Sequence, residues 1–266
     1  MKILLTVILC SMFFTGSFAQ KAILQTDVQE MNLKAKVKSV RNTVYSTIEK
    51  DGKIVKDKMD DVYLIKYDKD GNQIENIVYD LNGNIKYATE TKYSKPGLRT
   101  QHLFKNEKNE TTTKWVYEYD VNDYLVKETA YNSSGNIDEQ NNYTYTFSDK
   151  LHYTRKTINK DGRATGEDRY TLNNDNTIQS DDFLSDGKVL NRTYTYNDKK
   201  QKTSATLGKS IKNWEYDKEG NLISYNDSKN FNYTIEYTYD SKNNWVKSIT
   251  HYSTRVSITE RVIEYY

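Results

Sequence analysis

Residues 67–87, YDKDGNQIENIVYDLNGNIKY, carry one phrase twice, twelve residues apart: an aromatic, then Asp, two residues, then Gly-Asn. A looser form of the phrase starts at Ile48, Tyr67, Tyr79, Tyr93, Phe104, Tyr119, Tyr131, Phe147, Ile158, Leu172, Phe183, Tyr196, Tyr216, Tyr225 and Tyr239. Steps from 67 to 131 alternate shorter and longer, and 67 to 93 to 119 gives 26 and 26. Self-similarity at that length implies a repeat architecture. Each phrase is a hairpin turn for a chemical reason. Asp or Asn at its start accepts hydrogen bonds from backbone N–H groups just ahead, and Gly, Asn or Asp takes the left-handed conformation that a Cβ penalises. A type I turn followed by a left-handed residue makes a short hairpin loop with a bulge.

Between turns the pattern has period two. Ile74, Asn76 and Val78 alternate with Glu75, Ile77 and Tyr79. Tyr63, Ile65 and Tyr67 share a face, as do Trp115, Tyr117 and Tyr119, and Tyr143, Tyr145 and Phe147; Tyr194 with Tyr196 and Tyr237 with Tyr239 repeat the motif. Thr, Val, Ile and Tyr suit a pleated surface. Helical spacing is confined to TDVQEMNL at 26–33, and the single proline, Pro96, falls in a turn phrase. The expected fold is all-β: an elongated antiparallel meander of tandem hairpins, a twisted or spiralling strip of about fifteen strands. Uneven spacing argues against closure into a barrel.

The N-terminus reads as a secretory address. Lys2 precedes an apolar run from Ile3 to Phe14, and Ser17-Phe18-Ala19 is a small-x-small cleavage site. The expected organisation is a signal peptide at 1–19, a linker or short cap at 20–36, and a single β-hairpin repeat domain at 37–266. Cys10 is the only cysteine, so cleavage leaves no thiol for disulfides, metal sites or nucleophilic chemistry. After residue 19 only 47 residues are Leu, Ile, Val or Phe, whereas the chain carries 24 Tyr and 3 Trp. Tyrosine buries a ring and keeps its hydroxyl wet, which suits a thin sheet with solvent near both faces. Lys and Arg number 39 against 37 Asp and Glu, interleaved throughout. No basic stripe is available for nucleic acid.

The copies at Tyr67, Asp68, Gly71 and Asn72, at Tyr79, Asp80, Gly83 and Asn84, and at Tyr216, Asp217, Gly220 and Asn221 resemble the YD repeat of the Rhs/YD-repeat proteins, as do Tyr239, Asp240 and Asn243 more loosely. The opening VKSVRNTVY and the closing NNWVKSITHYSTRVSITERVIEYY look similar to small exported YD-repeat proteins of Bacteroides-type bacteria. In the large Rhs toxins such repeats form a β-shell around a C-terminal toxin. This chain is too short for that shell and ends in strand-like RVIEYY, so no toxin role is implied.

Catalytic constellations are missing from the sequence. His102, His152 and His251 are isolated, the Asp-rich turns place Gly too early for an EF-hand, and no GxSxG, P-loop or GxGxxG occurs. No enzyme activity, cofactor or metal is expected. Candidate ligand-stacking aromatics are Trp115, Trp214, Trp245, Tyr117 and Tyr119. The turn residues Asp68, Gly71, Asp80, Gly83, Gly135, Asp217 and Gly220 carry the repeat. The expected function is an exported, non-catalytic scaffold at the cell envelope, with an unidentified protein or glycan partner and no membrane span in the mature chain. A glycan-binding module and an accessory or immunity partner in a contact-dependent toxin system are the alternatives.

Overall fold

A computed structural model describes residues 25–185 and 188–266. The expected signal peptide lies outside the described residues. One helical turn, α1 (Asp27–Glu30), precedes eighteen strands. These are β1 (Val37–Lys50), β2 (Lys53–Tyr67), β3 (Gln73–Tyr79), β4 (Ile85–Lys95), β5 (Leu98–Lys105), β6 (Thr111–Tyr119), β7 (Leu125–Asn132), β8 (Ile137–Phe147) and β9 (His152–Asn159). There follow β10 (Ala164–Leu172), β11 (Ile178–Ser185), β12 (Lys188–Tyr196), β13 (Lys202–Leu207), β14 (Ser210–Tyr216), β15 (Leu222–Asp227), β16 (Asn232–Tyr239), β17 (Trp245–Tyr252) and β18 (Val256–Tyr265). Each strand pairs antiparallel with its neighbours in sequence, and β1 also pairs with β18, from Val37↔Tyr265 to Ser46↔Ser257.

The sheet is therefore a closed up-and-down barrel, which corrects the expectation of an open strip. An even number of strands brings the last one back antiparallel to the first, so the two edges of the meander satisfy each other. The uneven spacing read from sequence does not oppose closure, because it is absorbed at the turns. Register shifts fall at the aromatic of the phrase itself, as at Lys66/Tyr67, Val78/Tyr79, Glu118/Tyr119, Thr195/Tyr196 and Glu215/Tyr216. Such bulges bend the strand and increase its twist, which curls a flat meander toward closure.

Among the described residues eleven turns are copies of one five-residue loop, at 68–72, 80–84, 106–110, 120–124, 132–136, 159–163, 173–177, 197–201, 217–221, 227–231 and 240–244. In the loop at 68–72, Asp68 N–H donates to the Asn72 carbonyl at 2.9 Å and Gly71 N–H to the Asp68 carbonyl at 3.1 Å. Asp68 Oδ1 accepts from the backbone of Asp70 and Asn72, both at 2.9 Å. The fourth residue has positive φ in every copy: Gly71 (φ 90), Asn109 (φ 64), Lys200 (φ 61) and their equivalents. Turns at Gly208 and between β17 and β18 lack the phrase, and the sequence reading missed both.

The two faces of the wall are distinct. One carries Val40, Asn42, Tyr63, Ile65, Asn76 and Val78, continues through Trp115, Tyr117, Tyr143 and Tyr145, and returns by Tyr237, Arg261 and Ile263. All the period-two aromatic sets read from sequence lie on this face. It is the inner one. The short segment before β1 packs Leu33 against Val40, Ile65 and Tyr67 of this face while touching turns a third of the ring apart. Val28 N–H donates to the Gly71 carbonyl at 2.9 Å, and Asn32 Nδ2 to the Glu219 carbonyl at 3.0 Å. One helical turn can bridge those loops only across the mouth, from the concave side.

Residues 26–36 thus lie across one end of the barrel, called here the capped end. Asp27 Oδ2 accepts from Gln73 N–H at 2.7 Å and from the Tyr93 hydroxyl at 2.8 Å, and Asn244 holds the Lys34 backbone through both its N–H and its carbonyl. The Gln29 side chain accepts from Thr26 N–H at 3.0 Å, fixing the helical turn. Every even-numbered strand from β2 to β18 places an inner-face tyrosine near this end: Tyr67, Tyr93, Tyr119, Tyr145, Tyr170, Tyr196, Tyr216, Tyr239 and Tyr265. The composite period of about 26 residues is one trip down the barrel and back. Among the described residues no segment crosses the other end.

Candidate functional site

Eighteen strands enclose more space than one layer of side chains fills, so the inner wall is the candidate binding surface. Trp115 and Tyr117 follow one another on β6 with ring centroids 6.5 Å apart and planes 17° from parallel. Tyr119, next on that face, donates its hydroxyl to the Arg99 carbonyl at 2.8 Å. Trp214 on β14 packs against Tyr225 on β15, centroids 5.8 Å apart. Trp245 opens β17, 5.4 Å from Tyr237, and the Arg261 guanidinium carbon lies 3.1 Å from its ring centroid. All five candidate aromatics are half-buried inner-face residues. The structure brings Trp115, Tyr117 and Tyr119 together and places Trp214 eight strands away round the ring. Trp245 has one ring face occupied by Arg261. Trp214 belongs to a second row, Trp214–Tyr225–Tyr233–Tyr252, and Tyr145, Phe147, Tyr153 and Tyr170 form a third.

The inner wall also carries charge, much of it paired. Arg155 Nη2 lies 2.6 Å from Asp168 Oδ2, between the rings of Tyr143 and Tyr170. The Tyr143 hydroxyl donates to Glu128, and the Tyr194 hydroxyl to Asp181 Oδ1 at 2.6 Å. Burial lowers the Lys202 ammonium below its ordinary pKa, and Lys202 Nζ sits 4.1 Å from the Tyr194 ring centroid. Arg99 lies beneath the cap. Burial opposes its charge, but Tyr93, Tyr117 and Asp27 outweigh that and push its pKa up. Burial pushes the hydroxyls of Tyr196 and Tyr216 up to about 12. These groups hold one another in fixed positions, the preorganisation that a binding surface uses.

The repeat-turn residues divide between the ends. Asp68, Gly71, Asp217 and Gly220 lie at the capped end, where Asp217 Oδ1 accepts from Asn221 N–H at 2.7 Å and Oδ2 from the Tyr239 hydroxyl. Asp80, Gly83 and Gly135 lie at the other end, facing solvent. Their chemistry is that of the turn. Sequence reasoning missed Arg99, Asp27 and the Arg155–Asp168 pair. The first two meet only because the cap crosses the mouth; the last faces across β9 and β10 at positions that only register reveals. Among the described residues no group of three or more His, Cys, Asp or Glu is placed to hold a metal ion.

The outer wall carries cross-strand ion pairs. Lys66 pairs with Glu75 at 2.5 Å, Lys127 with Glu118 at 2.9 Å, Lys156 with Glu167 at 3.5 Å, and Lys105 with Glu90. No helix among the described residues is long and apolar enough to cross a membrane.

No family model matches the chain, and no curated protein matches it in sequence. Among solved structures it is similar to a porin-like protein from Bacteroides uniformis, at 12% identity and a TM-score of 0.43, covering 87% of this chain and 99% of that one. A porin-like protein from Bacteroides vulgatus matches at 12% identity and a TM-score of 0.30, with coverage of 87% and 99%. A TcdB2–TccC3–Cdc42 structure matches at 16% identity and a TM-score of 0.33, covering 84% of this chain and 12% of that one. Likeness at these scores carries no functional information.

Proposed function

We propose that this chain is an exported, non-catalytic β-repeat protein that acts as an interaction scaffold at the cell envelope. The observation that carries the reading is the closed ring, with cross-strand ion pairs on its outer face and a tyrosine-rich inner face. Inner charges such as Arg155 and Asp168 pair with one another, and Glu128 and Asp181 accept from tyrosine hydroxyls. Such a wall is rigid, lacks free edges and stays in water while holding its surfaces in fixed geometry. The test is fractionation of cells making the full chain, followed by photo-crosslinking from an outer-wall position such as Lys114. A processed envelope protein with a discrete crosslinked product supports the reading, and cytoplasmic retention of unprocessed chain refutes it.

A glycan-binding reading is favoured by the Trp115–Tyr117 row, an aromatic platform on the inner wall. Sugar rings stack on such rows while neighbouring carboxylates and amides, here Glu128 and Asn141, take their hydroxyls. A glycan array probed with the exported form and with Trp115→Ala tests it: binding lost in the variant is the expected result, and the absence of any glycan signal removes the reading.

A further inference from the structure

The two ends of the barrel differ in a way the repeat does not explain. At the capped end the aliphatic residue that follows the turn phrase is covered: Leu125 is 5% exposed and Ile178 7%. At the open end the same repeat position is bare: Ile85 is 39% exposed and Ile137 44%. Register accounts for the difference. Leu125 stands opposite Tyr119 on the inner face, whereas Ile85 and Ile137 stand opposite Tyr79 and Tyr131 on the outer face. Val189 and Ile211 take outward positions on the same rung, and Leu81 tops the β3–β4 turn. Of the fifteen exposed large apolar residues among the described residues, nine lie at the open end, spread over seven of its nine hairpins.

The β1–β2 hairpin adds an arm to this rim. β18 pairs with β1 no further than Ser46, and β3 pairs with β2 no further than Val62. The hairpin tip therefore projects past its neighbours, with Ile48 and Ile54 exposed beside Lys50 and Lys53. Charge separates the ends as well. Counting each turn with one flanking residue on either side, the open end carries ten Lys and Arg against seven Asp and Glu, and the capped end eight against ten.

We propose that the open rim is a docking surface for an anionic lipid bilayer, with its outermost rung of aliphatic residues seated among the headgroups. Apolar tips spread round the rim, with one arm projecting beyond them, suit a broad partner that yields to the arm, and a lipid surface is both broad and deformable. The band is one residue tall, which suits shallow interfacial seating and not a span. The basic excess favours anionic headgroups and opposes a second copy meeting rim to rim. This inference goes beyond the scaffold reading, and its outcome is independent of which protein or glycan the walls contact.

The test is co-flotation of the exported form, beginning at Gln20, with vesicles of phosphatidylcholine alone and of phosphatidylcholine with phosphatidylglycerol. Binding to the anionic vesicles is expected, weakening as salt is raised. The double variant Ile85→Asp with Ile137→Asp should bind about tenfold more weakly or worse. Val121→Asp, an equally apolar but fully exposed site at the capped end, should bind as the parent does, and circular dichroism of all three should agree. Failure of the parent to float with anionic vesicles overturns the proposal, as does equal binding by the double variant. A salt-resistant dimer that the double variant converts to monomer would assign the rim to a second copy instead, and would also overturn it.

Discussion

The hydroxyl of Tyr119 donates to the backbone carbonyl of Arg99 at 2.8 Å, so the end of β6 is stapled to the start of β5 beyond the last ladder bond. The same staple recurs at Tyr145 to Leu125, Tyr196 to Ile178, Tyr216 to Lys202 and Tyr237 to Leu222, each between 2.8 and 2.9 Å. The carbonyl at each strand start would otherwise face the half-buried inner wall without a donor. Removing one hydroxyl by Tyr119→Phe keeps the ring and strands that carbonyl, at a cost of about 1 kcal/mol. Denaturant titration of the variant against the parent measures it. A variant as stable as the parent would mean that water replaces the hydroxyl and the staple is dispensable.

Gly71 and Gly83 occupy the same position of the same turn, at φ 90 and φ 86. A Cβ at either is strained by the left-handed backbone, by about 1–2 kcal/mol. Only Gly71 has a neighbour. Its Cβ would come within 3.0 Å of Thr26 Oγ1 and 3.2 Å of Val28 Cβ, whereas Gly83 has nothing within 4 Å. Gly83→Ala is therefore expected to lower stability without local consequence. Gly71→Ala is expected to lower it further and to lift the cap, seen as faster proteolysis of residues 26–36. Equal protease sensitivity of the two variants would show that the cap yields without detaching.

The turns were legible in sequence because they are local. Asp at the first position and Gly or Asn at the fourth satisfy a five-residue loop from within it, so the phrase at Tyr67 or Tyr216 is recognisable without its surroundings. Fourteen of the fifteen phrases fall on turns, and that at Phe183 leads into residues 186–187, outside the described residues. Closure was not legible. The contact of Val40 with Ile263 joins segments at opposite ends of the chain, and no local pattern announces it. The period-two rows sorted tyrosines onto one face correctly, yet could not say that this face is concave. That depends on the bulges at Tyr67, Tyr119 and their equivalents, whose effect on curvature accumulates over eighteen strands. The Arg99 cluster is hidden for the same reason, since Asp27 reaches it only when the ring exists.

Alkaline titration reads out the tyrosine lining. Burial holds Tyr170, Tyr196 and Tyr216 up at about 12 and pushes Tyr119, Tyr145, Tyr233 and Tyr237 higher still. The unfolded chain ionises these groups near their ordinary value of 10.0, so it loses protons before the folded barrel does. Stability is full below that value and falls as pH rises through it. Near-ultraviolet phenolate absorbance is expected to lag behind free tyrosine near pH 10 and then rise steeply together with loss of strand signal in circular dichroism. A gradual rise near pH 10 with strands intact would mean that the inner wall is freely hydrated.

His102 gives the complementary dependence in acid. On the inner face of β5 its Nδ1 lies 2.9 Å from Thr91 Oγ1, and its ring meets Phe104 edge-on with centroids 4.7 Å apart. Burial first, and the nearby Arg99 charge second, hold its pKa down from 6.5 to about 4. A histidine depressed on folding is protonated earlier in the unfolded chain. Its contribution to stability is therefore complete above 6.5 and drains away as pH falls toward 4. Denaturant midpoints of the parent and of His102→Gln, compared at about pH 7 and about pH 5, isolate this one group from the carboxylates that titrate in both proteins. The parent is expected to lose more stability than the variant over that interval. Equal losses would show that the imidazolium is accommodated beside Arg99, and that the inner wall at β5 admits enough water to solvate two positive charges.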